Sequence, residues 1–143
     1  MMQATIQWLG NKRFVGHTEY VEGEHSLIMD APTQFGGKNS APSPMEVVLA
    51  AAGTCASMDV TSILTQARQD IRDCKVLLTS ERSKTPPTVF TAIHMHFDIY
   101  GKDLSEKQVD RALALTFEKY CSVSIMLAES GVTISWDYTL HQA

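Results

Sequence analysis

Three cysteines, Cys55, Cys74 and Cys121, are the residues of this 143-residue chain best suited to chemistry. A thiol attacks only as thiolate, so a reactive cysteine needs a neighbouring cation, a helix N-terminus or hydrogen-bond donors. Cys74 shares an alternating strand face with Val76 and Leu78 and reads as a small buried hydrophobe. Cys55 lies in Ala50-Ala51-Ala52-Gly53-Thr54-Cys55-Ala56-Ser57, a stretch of small side chains. It is either one more small residue at a tight helix crossing or a nucleophile on the floor of a pocket those side chains leave open. Asp59 follows one turn later on nearly the same face, where a carboxylate raises a thiol pKa unless a cation neutralises it. Cys121 stands where one helical segment ends and the next begins. A helix N-terminus there favours the thiolate, and a core cysteine at a helix junction fits the local pattern equally.

The other candidate chemistry is thinner. His94 and His96 are two apart and share one strand face, so both could reach one metal ion. No nearby cluster completes that ligand set, and an inner face of Ile93, Met95 and Phe97 makes the histidines the polar outer face of a strand. His17 and His25 belong to no motif. A cysteine hydrolase needs a histidine to take the Cys55 proton, and none stands in a recognisable partner context.

The composition narrows the classes. Apolar residues make up 44% and charged residues 20%, enough for a packed core and against intrinsic disorder. The length suits one domain, residues 1–143, or one half of an intertwined dimer. A net charge of −4 with no basic tract argues against nucleic-acid binding. The longest mainly apolar run, Val47 to Ala52, is too short for a bilayer, and no export signal opens the chain. A cytoplasmic protein with reduced thiols is the expectation.

The elements that must position the cysteines follow from periodicity. Residues 1–30 read as short strands, with Gly10-Asn11 turning one into the next and a third strand over Ser26 to Met29. Residues 31–43, with Pro32, Pro42 and Gly36-Gly37, read as a loop. Ser43-Pro44-Met45-Glu46 is a capping box with proline at the first helical position. Helical spacing then runs from residue 44 to 69, about 37 Å at a rise of roughly 1.5 Å per residue. Residues 73–140 supply two strands joined at Thr85-Pro86-Pro87, a helix opened by the capping box Ser105-Glu106-Lys107-Gln108, a short helix from Cys121 to near Gly131, and a closing strand over Val132 to Leu140.

At these residues the chain resembles the OsmC/Ohr family, the osmotically inducible and organic hydroperoxide resistance proteins. The likeness rests on Ser43-Pro44-Met45-Glu46 through Cys55, on Glu118-Lys119-Tyr120-Cys121-Ser122-Val123-Ser124, and on the order of elements around them. It implies an α+β intertwined homodimer, two long central helices flanked by antiparallel sheets, with active sites at the subunit interface. It also implies thiol peroxidase chemistry on organic hydroperoxides without metal, flavin or haem. Cys55 would form a sulfenic acid, Cys121 would condense with it to a disulfide, and an external dithiol would reduce the product.

Two further site residues come from the same resemblance. Family peroxidases usually carry a glutamate ten residues before the first cysteine and an arginine in the N-terminal strands. Here Met45 holds the glutamate position and Glu46 follows it. Nine residues of straight helix set Glu46 opposite Cys55, and its capping-box role already accounts for it. Arg13 is the only early arginine. Asp59-Val60-Thr61-Ser62-Ile63-Leu64 resembles a less characterised branch of the family. The competing reading keeps the dimeric fold as a binding module for a small apolar or thiol ligand, with Met45, Met58 and Met126 in the pocket.

Overall fold

The computed structural model describes residues 1–143. The chain divides into two compact units, Met1–Leu49 and Ala50–Ala143. The first holds an antiparallel meander of β1 (Gln3–Trp8), β2 (Phe14–Tyr20) and β3 (Gly23–Met29). Gly10 (φ 102°) and Asn11 (φ 47°) take the left-handed conformations of the first turn, closed by the Trp8 indole N–H donating to the Asn11 carbonyl at 2.8 Å. The third strand starts at Gly23, three residues before the sequence pattern suggests.

The loop 31–43 is pinned by Asp30, which is only 3% exposed. Its carboxylate accepts the Ala31 N–H at 2.7 Å, the Ser40 N–H at 3.0 Å and the Ser40 hydroxyl at 2.6 Å. Those bonds, with the Ser40 hydroxyl foremost, lower the Asp30 pKa to about 2. A depressed carboxylate pKa stabilises the fold fully above the ordinary carboxylate range. That contribution is lost as pH falls through the folded value.

Helix α1 (Pro44–Gln66) opens as expected. The Glu46 carboxylate accepts the Ser43 N–H at 2.6 Å and the Ser43 hydroxyl at 2.9 Å. The helix stops three residues short of Gln69 because Arg68 turns left-handed at φ 60°. The Gln69 N–H reaches the Leu64 carbonyl at 2.9 Å and the Arg68 N–H reaches Thr65 at 3.0 Å, a Schellman closure. Arginine carries a Cβ penalty there that glycine lacks, of roughly 1 kcal/mol. Arg68→Gly is therefore expected to raise stability by about 0.5 kcal/mol, less than the full penalty because glycine is freer when unfolded. Urea denaturation checks the sign.

One stripe of α1, Ala52, Ala56, Val60 and Leu64, is fully buried at helical spacing. Gly53 extends the stripe, and a Cβ there would stand 2.5 Å from a Leu78 methyl, so the helix rides close on the next strand. By length and composition α1 could cross a membrane, with 28% of its most apolar window buried. The unbroken apolar run ends at Ala52 because Gly53, Thr54 and Ser57 interrupt it without making the helix polar. The core helices of globular proteins meet the same test.

The second unit continues with β4 (Asp70–Arg82), β5 (Phe90–Lys102), α2 (Glu106–Leu115), a π-helical turn (Thr116–Tyr120), α3 (Ser122–Glu129) and β6 (Thr133–Gln142). β4 pairs antiparallel with β5, and β6 runs parallel to β5. The second sheet is therefore mixed rather than purely antiparallel. The reason is connectivity, since α2 and α3 carry the chain back across the sheet and a strand reached by such a crossover runs parallel. Ile93, Met95, Phe97 and Ile99 of β5 are buried, as are Val109 and Leu113 of α2.

Candidate active site

The site is built on one face of α1 and the head of α3. Cys55 and Asp59 stand one turn apart on α1 and so share a face. Cys121 caps the N-terminus of α3 in an extended conformation, φ −74° and ψ 98°. Two features fix that position. The Cys121 N–H donates to the Thr116 carbonyl at 2.8 Å, closing the π-helical turn, and the Thr116 hydroxyl donates to Ala112 at 2.8 Å. Together they bring a thiol from each element and one carboxylate to a single place. Ligand atoms of Cys55, Asp59 and Cys121 all lie within 4.8 Å of one another.

The electrostatics differ at each group. Cys121 is fully buried and its thiol donates to the Ser124 hydroxyl at 3.1 Å. Burial pushes the Cys121 thiol up, the Ser124 bonds pull it down, and Cys55 pushes it up again, leaving it raised. Of the two sequence readings of Cys121, the raised thiol agrees with the core cysteine at a helix junction rather than the dipole-favoured thiolate, because removal of the sulfur from water is the largest effect. Asp59 is raised as well, by burial, and its Oδ2 is buried without a hydrogen-bond partner. Beside Asp59 lies a cavity of about 720 Å³, also lined by Ser62, Gln66, Arg111 and Tyr120.

The remaining sequence candidates fall elsewhere. Glu46 is engaged by Ser43, which lowers its pKa through the backbone and hydroxyl bonds. Arg13 donates to the Ser40 hydroxyl at 3.2 Å and so supports the Asp30 pin of the loop. Cys74 is half-buried and borders a separate groove of about 550 Å³ with Gly53, Met58 and Leu78. Burial, then Asp73 and Asp98, push its thiol up.

His94 and His96 do share an outer strand face, and the fold gives them partners that local sequence does not show. Asp137 Oδ1 on β6 lies 2.9 Å from His94 Nε2 and 2.7 Å from His96 Nδ1. Asp98 Oδ1 sits 2.7 Å from His141 Nε2. Asp137 raises the His96 pKa and is itself lowered, chiefly by His96. The sequence reading holds Ser124 only as part of the motif around Cys121, without a role, and does not include Asp137. Ser124 carries a weak signal, three residues after a helix-capping cysteine, whereas Asp137 has none without the β5–β6 register. Two groups have the ligand types for a metal ion: Cys55, Asp59 and Cys121, and the more exposed His17, Glu19 and Glu24.

A two-thiol site between a long helix and a π-turn, on an α+β scaffold with two three-stranded sheets, defines a class, and comparison with known proteins identifies it. A family model described as OsmC-like protein matches residues 37–137, and the chain belongs to that family. It is 47% identical to the protein YhfA of Escherichia coli K12 over 137 residues, 96% of each chain. A hypothetical protein of Aquifex aeolicus shares the fold with a TM-score of 0.71 at 25% identity, covering 99% of this chain and 96% of the other. An organic hydroperoxide resistance protein OsmC of Legionella pneumophila shares it with a TM-score of 0.67 at 17% identity, covering 97% and 96%.

Proposed function

We propose that this protein is a two-cysteine thiol peroxidase that reduces organic hydroperoxides in defence against oxidative stress. The observation that carries this reading is the approach of Cys55 and Cys121 to within 4.8 Å. A disulfide requires two sulfurs on neighbouring elements, and this separation places them as neighbours. Cys55 attacks the peroxide and becomes a sulfenic acid, Cys121 condenses with it, and an external dithiol reduces the disulfide. The raised pKa of Cys121 suits the second step, since a thiol kept protonated does not compete for the peroxide. Hydroperoxide resistance in the names of structural relatives agrees with the reading.

The working form is a homodimer in the cytoplasm. Ile6, Trp8, Tyr20 and Leu27 of the first sheet are 58%, 60%, 56% and 43% exposed, and Met58 of α1 is 64% exposed. So much apolar surface calls for a cover, which a second copy of the chain supplies. Light scattering is expected to give twice the 15.8 kDa of one chain.

Peptide mapping after one equivalent of cumene hydroperoxide tests the chemistry. A Cys55–Cys121 bridge within one chain, with Cys74 still free, is the expected product. Cys74 in the bridge, or all three thiols intact, overturns it. Intact thiols would favour the binding module on the same fold.

A further inference from the structure

We infer that Asp59 is the proton carrier of this site, serving both sulfurs in turn. The inference rests on the thiol peroxidase reading and extends it to a residue outside the cysteine pair. Its basis is geometric. One carboxylate oxygen lies within 4.8 Å of both Cys55 and Cys121, and Oδ2 is buried with no hydrogen-bond partner. A buried unpartnered carboxylate oxygen destabilises the fold unless a proton or another group meets it there. Within one chain the cluster holds no second carboxylate and no imidazole. Glu46 is held by Ser43.

The surroundings suit a group that changes its protonation state. On its own helix Asp59 faces Cys55, and from the head of α3 it faces Cys121. From α2 and the π-helical turn, Arg111 and Tyr120 line the cavity beside it. Arg111 is the only basic residue on that wall, and neither it nor Asp59 takes part in a salt bridge. Burial raises the Asp59 pKa and so narrows its gap to a thiol, which makes proton exchange between them easier.

The sequence of transfers balances. Asp59 as carboxylate takes the Cys55 proton. The thiolate sulfur attacks the hydroxyl oxygen of the hydroperoxide, forming an S–O bond and breaking O–O. Sulfur is oxidised, the peroxide is reduced, and the departing alkoxide takes the proton from Asp59 to leave as alcohol. The carboxylate then takes the Cys121 proton. Cys121 attacks the Cys55 sulfur, the S–O bond breaks, and the departing hydroxide takes that proton to leave as water. Asp59 ends as it began, and a dithiol resets the disulfide.

The test separates this role from a structural one through the leaving group. Alkyl hydroperoxides expel an alkoxide that needs a proton, whereas a peracid expels a carboxylate that does not. Single-turnover thiol oxidation of Asp59→Asn and wild type is compared with tert-butyl hydroperoxide and with peracetic acid. Metal-free buffer near neutral pH is used, so that the proton Asp59 takes from Cys55 is the one it returns to the leaving group. Asp59→Asn is expected to lose on the order of 10²-fold with tert-butyl hydroperoxide and clearly less with peracetic acid, which needs the base but not the returned proton. Equal losses with both, or no loss with either, overturn the inference. If wild type consumes neither peroxide, the peroxidase reading itself fails. Should Asp59→Asn not fold, wild type is measured in heavy water. A solvent isotope effect larger with tert-butyl hydroperoxide than with peracetic acid supports the role, and equal effects overturn it.

Discussion

Cys55→Ser is expected to abolish single-turnover consumption of organic hydroperoxide, while Cys121→Ser should consume about one equivalent per chain and stop. The asymmetry follows from the two environments. A serine hydroxyl does not ionise near neutral pH, so replacing the attacking sulfur removes the first step. Cys121 is fully buried, its thiol is raised by burial, and it donates to Ser124. Losing it leaves the first step in place and the sulfenic acid unresolved. That product is trapped by dimedone, or proceeds to sulfinic acid with excess peroxide. Mass spectrometry distinguishes the two. Equal single-turnover rates for wild type and Cys55→Ser would remove the peroxidase reading and put the binding module first.

Phe97→Ala is expected to cost about 3–5 kcal/mol of stability, the range for emptying a buried aromatic site. Phe97 is fully buried in β5, the central strand of its sheet. Its ring meets that of Phe117 edge-on at 6.3 Å, and Phe117 stacks on Trp136 at 4.3 Å. Phe117 belongs to the π-helical turn that ends at Cys121. The cavity would therefore open beneath the segment that holds the second sulfur, and oxidation to the disulfide should slow along with the loss of stability. Phe97→Leu, which keeps much of the buried carbon, should lose less of both. Urea denaturation gives the first quantity and the single-turnover rate of disulfide formation the second. A loss below about 1 kcal/mol would mean that the neighbouring side chains close the space, contrary to the packing described.

The sequence by itself determined the elements and much of their order. Capping boxes at Ser43–Glu46 and Ser105–Gln108 mark helix starts because free backbone N–H groups at those positions need partners close in sequence. Alternation over Ile93, Met95, Phe97 and Ile99 told the inner face of β5 from its outer one, because side chains on a strand alternate with period two. The family likeness, too, was legible in the residues around Cys55 and Cys121. These signals are local, and local periodicity and capping carry them.

Tertiary structure alone decided the rest. The end of α1 at Gln66 depends on Arg68 adopting a left-handed conformation that its residue type does not announce. The parallel direction of β6 follows from the crossover through α2 and α3. The direction of the Cys121 shift was left open by the sequence because capping position is local whereas burial is set by everything packed around it. Asp59 shows the same division. Its place one turn from Cys55 could be read from helix geometry, but its nearness to Cys121, 62 residues further along the chain, could not. Electrostatics within a few ångströms dominate a site's chemistry, and those neighbours are chosen by the fold rather than by adjacency in the chain.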